Sequence, residues 1–151
     1  MSKNLKICCI SSHGGHLHEL TEATKGVSGN MYWVTFKTKH TDTLLKDKPH
    51  YFIIDPVTSK FKFIINAFQS LCHILKERPK VIISTGAGMA IPTMLLGKFL
   101  LKSRIIYVES AAAVIEPSRT GRFMYKYADL FLIQWETLKE FYPNAKYVGI
   151  L

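Results

Sequence analysis

Residues 11–18 read SSHGGHLH, directly after the apolar run KICCI of residues 6–10. Histidines and paired glycines at this spacing allow three chemistries: a metal centre, a catalytic histidine, or a loop that holds a phosphorylated ligand. The metal reading is the weakest. His16 and His18 are two residues apart at a helix start, so they diverge by about half a turn, and no HExxH pattern or convergent Cys/Asp spacing accompanies them. No metal ligand set is therefore expected. Gly14 and Gly15 instead remove Cβ atoms where a strand gives way to a helix, which lets a ligand approach the N–H groups and the positive end of the helix dipole. The loop carries neither the G-x-G-x-x-G nor the Gly-Lys-Ser/Thr ending of the common nucleotide motifs, so no cofactor is expected. A plain strand-to-helix turn would also use glycine here.

The stretch STGAGMAIP (84–92) repeats the same physics, with Gly86 and Gly88 at the exit of a buried strand. Small residues there would also let a helix pack close to a sheet. Glu109 ends another apolar strand, in YVES. A carboxylate so placed is expected to face the cleft, as a general base or a partner for sugar hydroxyls; a helix cap or a surface acid is the alternative.

The elements that must position these loops alternate along the chain. Strand patterns lie at 5–10, 31–36, 51–55, 80–84, 104–109 and 129–134, and residues 146–151 are a last strand or its exit. Helical patterns lie at 16–24, 60–77, about 90–101, 120–127 and 136–141. Near-continuous apolar strands alternating with helices define an α/β, Rossmann-like, doubly wound parallel sheet covered on both faces. In such a sheet ligands sit beyond the carboxyl ends of the strands, where loops 11–16, 84–89 and 109–118 fall.

The 151 residues suit a single domain, 1–151. Twenty Lys+Arg against eleven Asp+Glu give a formal charge of +9, which favours polyanions: nucleic acid, an anionic membrane or phosphorylated substrates. Cys8, Cys9 and Cys72 have no metal-like spacing and suit a reducing interior. The start MSKNLK is not a signal peptide, and the apolar stretch 90–101 is too short and too broken to span a bilayer. A cytoplasmic location with peripheral membrane contact is expected.

Two basic-aromatic stretches remain. In the helix over 60–77, Ile64, Phe68, Leu71 and Leu75 share one face. The expectation is that this face packs on the sheet and leaves a solvated basic rim. Lys60, Lys62 and Phe63 at its start, with Arg119, Arg122 and Lys126 further on, would equally suit an anionic lipid surface. No RNA-recognition signature appears, so no nucleic acid is expected as partner.

Taken together, SSHGGHLHEL, ISTGAGMAIP and IYVESAAAVIEPSRTGRFMYKYADLFLIQWETLKEFYPNAKYVG closely resemble the PssD/CpsF-type polysaccharide biosynthesis proteins across essentially the whole chain. These are bacterial relatives of the membrane-recruiting subunit of the UDP-GlcNAc transferase that adds the second sugar to dolichol-linked oligosaccharide. They are similar to the N-terminal half of GT-B glycosyltransferases such as MurG. The resemblance implies the acceptor-side subunit of a two-component glycosyltransferase in capsule or exopolysaccharide assembly, inactive alone. It implies His16 or Glu109 as acceptor base, and Ser12, His13, Gly14, Gly15, Gly86, Gly88 and Ser110 around the lipid-pyrophosphate-linked saccharide. The chain stops at YVGIL, where a one-chain enzyme would cross into its second domain, so a separate GT-B C-terminal-type partner is expected to bind the UDP-sugar. Two alternatives stay open: a recruiting subunit without catalytic residues, and a stand-alone nucleotide-binding enzyme.

Overall fold

The computed structural model describes residues 5–57 and 59–151. Seven strands, β1 (Lys6–Ile10), β2 (Asn30–Thr35), β3 (His50–Phe52), β4 (Val81–Ser84), β5 (Arg104–Val108), β6 (Leu130–Ile133) and β7 (Lys146–Tyr147), form one sheet in the order 3-2-1-4-5-6-7. Every pairing is parallel, which agrees with the doubly wound class. The chain runs outward in one direction from β1 to β3 and in the other from β4 to β7. The order therefore reverses between β1 and β4, and a crevice opens beyond their carboxyl ends.

Among the described residues five α-helices cover the sheet: α1 (Gly15–Ala23), α2 (Lys39–Leu44), α3 (Lys60–Glu77), α4 (Ile91–Leu101) and α5 (Arg119–Met124). Leu17 and Leu20 of α1, with Leu45 just after α2, pack on Ile7, Cys9, Trp33 and Ile83 on one side. Met89, Ala90, Met94 and Met124 pack on Cys8, Ile10, Tyr32, Ile82, Tyr107 and Phe131 on the other. Cys8 and Cys9 thus point to opposite faces, and both are buried because both faces are covered. The segment expected to be helical at 136–141 is a 3-10 turn over Glu136–Glu140. Helix α2 is absent from the sequence pattern; Thr38 caps it, exchanging bonds with Thr41.

The cover is incomplete on the α1 side beyond β4. Ile83, Ile106, Val108, Leu130 and Leu132 line an apolar groove of about 210 Å³, with Val27 and Leu151 at its margin.

Helix α3 reverses the expected orientation. Its sheet-facing residues are Asn66, Ser70, His73 and Ile74. Of the four apolar side chains expected to be buried, Ile64 and Phe68 are each 66% exposed and Leu75 52%, while Leu71 is half-buried; Phe61, one turn before Ile64, is 71% exposed on the same face. The polar residues can turn inward because they satisfy one another. The His73 ring lies between the Tyr32 hydroxyl at 3.3 Å and the Thr93 hydroxyl at 3.2 Å. Thr93 donates to Ser70, and Ser70 donates to Asn66. The Asn66 amide donates to the carbonyls of Ile54 at 2.7 Å and Met89 at 3.2 Å. A buried polar group with its partners in place costs little, whereas an unpaired one is expensive. Phe99 and Leu100 of α4 are exposed as well.

Burial pushes the His73 imidazole down to about 4, with the Glu77 carboxylate opposing. The folded chain keeps this ring neutral while the unfolded chain protonates it near pH 6.5, so its contribution to stability is complete above that pH and falls away toward pH 4. Urea unfolding should show wild type losing about 2 kcal/mol between pH 7 and pH 5 from this group alone. His73→Gln should lack that part of the slope. Parallel pH profiles for the two proteins would contradict the assignment.

Candidate functional site

The strand-order reversal brings the two glycine loops side by side. After β1, Ser11 and Ser12 are buried, and Gly14 caps α1 with φ +72°, a conformation that favours glycine. Gly15 and Gly88 are different. Neither has a positive φ, and a Cβ added at either would meet nothing within 4 Å. The chain's own packing does not require glycine at these two positions, which leaves open backbone facing the crevice.

Gly86 is constrained from within. Its φ is +112°, and a Cβ there would lie 2.9 Å from the Tyr107 hydroxyl and 3.5 Å from the His16 ring. The missing side chain is what lets His16, Gly86 and Tyr107 meet. Burial raises the Tyr107 hydroxyl above the usual tyrosine range, so it stays protonated.

His16 joins the two loops through a reciprocal pair. Its Nδ1 lies 2.9 Å from the Thr85 carbonyl, and the Thr85 hydroxyl donates to the His16 carbonyl at 2.6 Å. A carbonyl only accepts, so the hydrogen sits on Nδ1. In the neutral ring Nε2 keeps its lone pair and can take a proton. His13 is exposed and set edge-on to Phe36 with ring centroids 4.6 Å apart, while His18 is exposed on α1.

The third loop departs from expectation. The Glu109 carboxylate does not face the cleft; the residue is 0% exposed. Tyr142 donates to its Oε2 at 2.8 Å and the Ser110 N–H to its Oε1 at 3.1 Å. A Cβ at Gly121 would collide with this carboxylate, so glycine there lets α5 close over it. The physical reason is strand parity: Glu109 follows Tyr107 by two residues and points to the same covered face. Burial, and next the bond to Glu109, raise the Tyr142 hydroxyl above its usual range. Ser110 lies at the loop end, but its hydroxyl donates to Glu19 at 3.3 Å.

Ser12, His13, Gly14, Gly15, His16, Gly86 and Gly88 are thus grouped at the carboxyl ends of β1 and β4, with Ser110 at the end of β5. Thr85, Tyr107 and Glu19 join them without having been singled out in the sequence. Glu19, three residues after His16 on the same helix, carried the clearest available signal. Lys60, Lys62 and Phe63 lie exposed in the first turn of α3, and Arg119, Arg122 and Lys126 are exposed in and just after α5. Both stretches fall on the same side of the sheet, linked through α4 by the Phe99–Tyr127 contact. Among the described residues no group of three or more His, Cys, Asp or Glu is placed to hold a metal ion, and no helix is long and apolar enough to cross a membrane.

A parallel sheet whose order reverses at a crevice bordered by glycine loops is a Rossmann-like, doubly wound fold. The chain superposes on Acinetobacter baumannii MurG with a TM-score of 0.76, at 16% identity, covering 97% of this chain and 45% of that one. It superposes on a glycosyltransferase from Rickettsia africae with a TM-score of 0.67 at 12% identity. The chain belongs to the family described as "Oligosaccharide biosynthesis protein Alg14 like", whose model matches residues 53–151. It is 36% identical to the human UDP-N-acetylglucosamine transferase subunit ALG14, covering 97% of this chain and 83% of that protein. The Candida albicans subunit of the same name is 36% identical over 62% of this chain; the match spans 43% of that relative.

The geometry separates glycines that the fold requires from those it does not. Gly86→Ala should destabilise the chain by about 1–3 kcal/mol through positive φ and the Tyr107 contact. Gly15→Ala should leave the unfolding midpoint unchanged. Thermal unfolding of both variants checks this; equal losses would mean that Gly15 is also demanded by packing.

Proposed function

We propose that this chain is the acceptor-side subunit of a two-component glycosyltransferase, held on an anionic membrane face, in the assembly of capsular or exopolysaccharide repeat units. Residues 1–151 serve as one domain. A separate GT-B C-terminal-type subunit binds the UDP-sugar, and the sugar moves to a hydroxyl of a lipid-pyrophosphate-linked saccharide. The chain works at the inner face of the cell membrane, as the PssD/CpsF resemblance implies.

The observation that carries this reading is the outward apolar face of α3. Phe61, Ile64, Phe68 and Leu75 lie exposed beside Lys60, Lys62 and Lys76. Such a face buries apolar groups at the acyl boundary while its rim meets anionic headgroups, each basic residue contributing about 1 kcal/mol. Helices α3 and α5 both begin at the loop end of the sheet, so a lipid-borne acceptor arrives beside the glycine loops. The uncovered groove on the α1 side offers an apolar surface for the second subunit.

In this reading Gly14, Gly15 and Gly88 admit the acceptor pyrophosphate or first sugar to the backbone, with Ser12 and His13 alongside. His16 Nε2 takes the proton of the attacking hydroxyl, while Thr85 holds the ring. Glu109, bonded to Tyr142 and the Ser110 N–H, fixes the third loop beneath them, and Ser110 lies above it.

Two variants in the complex purified with its co-expressed partner test the reading. His16→Ala should lower transfer to a lipid-linked acceptor by about 10²–10⁴-fold and leave binding to phosphatidylglycerol vesicles unchanged. Phe61→Ser/Phe68→Ser should do the opposite: weak, salt-sensitive vesicle binding with transfer to a detergent-solubilised acceptor retained. Undiminished transfer by His16→Ala would leave only a recruiting role. Tight UDP-sugar binding by the isolated chain would favour a stand-alone enzyme.

A further inference from the structure

Among the described residues only two buried side-chain polar atoms lack a hydrogen-bond partner, Glu19 Oε2 and Thr35 Oγ1. Thr35 is the last residue of β2. Glu19 reaches the end of β5. Both orphans therefore sit at the carboxyl end of the sheet, where the loops gather.

Glu19 is the more telling of the two. Its Oε1 accepts from the Ser110 hydroxyl at 3.3 Å and from the Ala111 N–H at 3.1 Å, fastening α1 to the third loop. That fastening needs a single acceptor oxygen, which a glutamine amide would supply equally well. A carboxylate brings a second oxygen, acceptor-only, and native structures seldom leave such an atom buried and unpaired. Its burial without a partner is costly unless a donor arrives. The position is specific as well. Glu19 follows His16 by three residues on α1, so the two side chains lie on adjoining turns, one fastened to the second loop and the other to the third.

We infer that Glu19 is a saccharide-binding carboxylate, with Oε1 holding the third loop and Oε2 accepting a hydrogen bond from a hydroxyl of the acceptor sugar. This rests on the acceptor-side reading given above. A carboxylate accepting from a hydroxyl forms a charge-assisted bond, stronger than a neutral pair. The Ser110 hydroxyl and the Ala111 N–H keep their bonds to Oε1, so the loop stays fastened while Oε2 takes the new donor. The residue next to the base would thereby select for a sugar-bearing lipid over the bare lipid pyrophosphate.

Glu19→Gln separates this role from a structural one. The amide oxygen keeps the bonds to Ser110 and Ala111, and the amide nitrogen replaces the free acceptor with a donor. The probes are a short-chain prenyl pyrophosphate and the same molecule carrying one hexose, in gluco, N-acetylgluco and galacto forms, titrated calorimetrically into the purified chain. Wild type should bind at least one sugar-bearing form more tightly than the bare pyrophosphate. Glu19→Gln should lose about tenfold in affinity for that form, bind the bare pyrophosphate as wild type does, and unfold at the wild-type temperature. Unchanged affinity of Glu19→Gln for the sugar-bearing form would overturn the assignment while leaving the acceptor-side reading intact. Equal loss for both probes with a lowered unfolding temperature would make Glu19 a structural clamp only. Failure of wild type to bind either probe would overturn the assignment together with the reading it rests on.

Discussion

One side-chain amide holds the arrangement together. Asn66, fully buried on α3, donates to the carbonyl of Ile54 after β3 and to that of Met89 beside the second glycine loop. These bonds, and the Ser70–Thr93–His73–Tyr32 chain that continues them, fix the polar stripe of α3 against the sheet. With the polar stripe inward, the apolar stripe can only face outward. The exposed face of α3 and the position of the Gly86–Gly88 loop are consequences of one buried seam, which links the surface proposed to meet lipid with the loop proposed to meet the acceptor.

The site has its own hub in α1. His16 ties that helix to the second loop through Thr85, and Glu19 ties it to the third through Ser110 and Ala111. Gly86 and Gly121 contribute by absence, letting Tyr107 approach His16 and α5 close over Glu109. The crevice they surround lies where strand order reverses, the position at which α/β sheets bind ligands. The apolar groove across β4, β5 and β6 lies on the opposite side of the sheet from α3, so a second subunit there and a membrane at α3 would not compete for one surface.

Most of the fold was legible because parallel strands buried on both faces read as continuous apolar runs, and KICCI, KVIIS and RIIYV do so. Helix α2 was not, since its residues KHTDTL carry no apolar period and its start depends on bonds between Thr38 and Thr41. For α3 the periodicity correctly grouped Ile64, Phe68 and Leu75 on one face but could not say which face turns inward. That depended on partners far away in sequence, Tyr32 and Thr93, able to satisfy His73 and Ser70. The glycine loops and His16 were legible from residue type and spacing. Glu109 was misdirected although parity with Tyr107 held the answer, and Glu19, though three residues after His16 on the same helix, drew no notice because its partners Ser110 and Ala111 lie far away in sequence.

The inverted amphipathicity of α3 is the claim on which the membrane-bound reading turns, and spin labels test it directly. Single cysteines at Phe61, Ile64, Phe68 and Lys62, placed in a Cys72→Ser background, can be nitroxide-labelled and read for collision with oxygen and with a water-soluble nickel chelate. On adding phosphatidylglycerol vesicles, labels at 61, 64 and 68 should gain oxygen exposure and lose nickel exposure, with the label at 62 remaining at the aqueous boundary. If all four stay equally open to nickel on vesicles that hold the protein, α3 does not face lipid and the account of this chain as a membrane-seated acceptor subunit is contradicted.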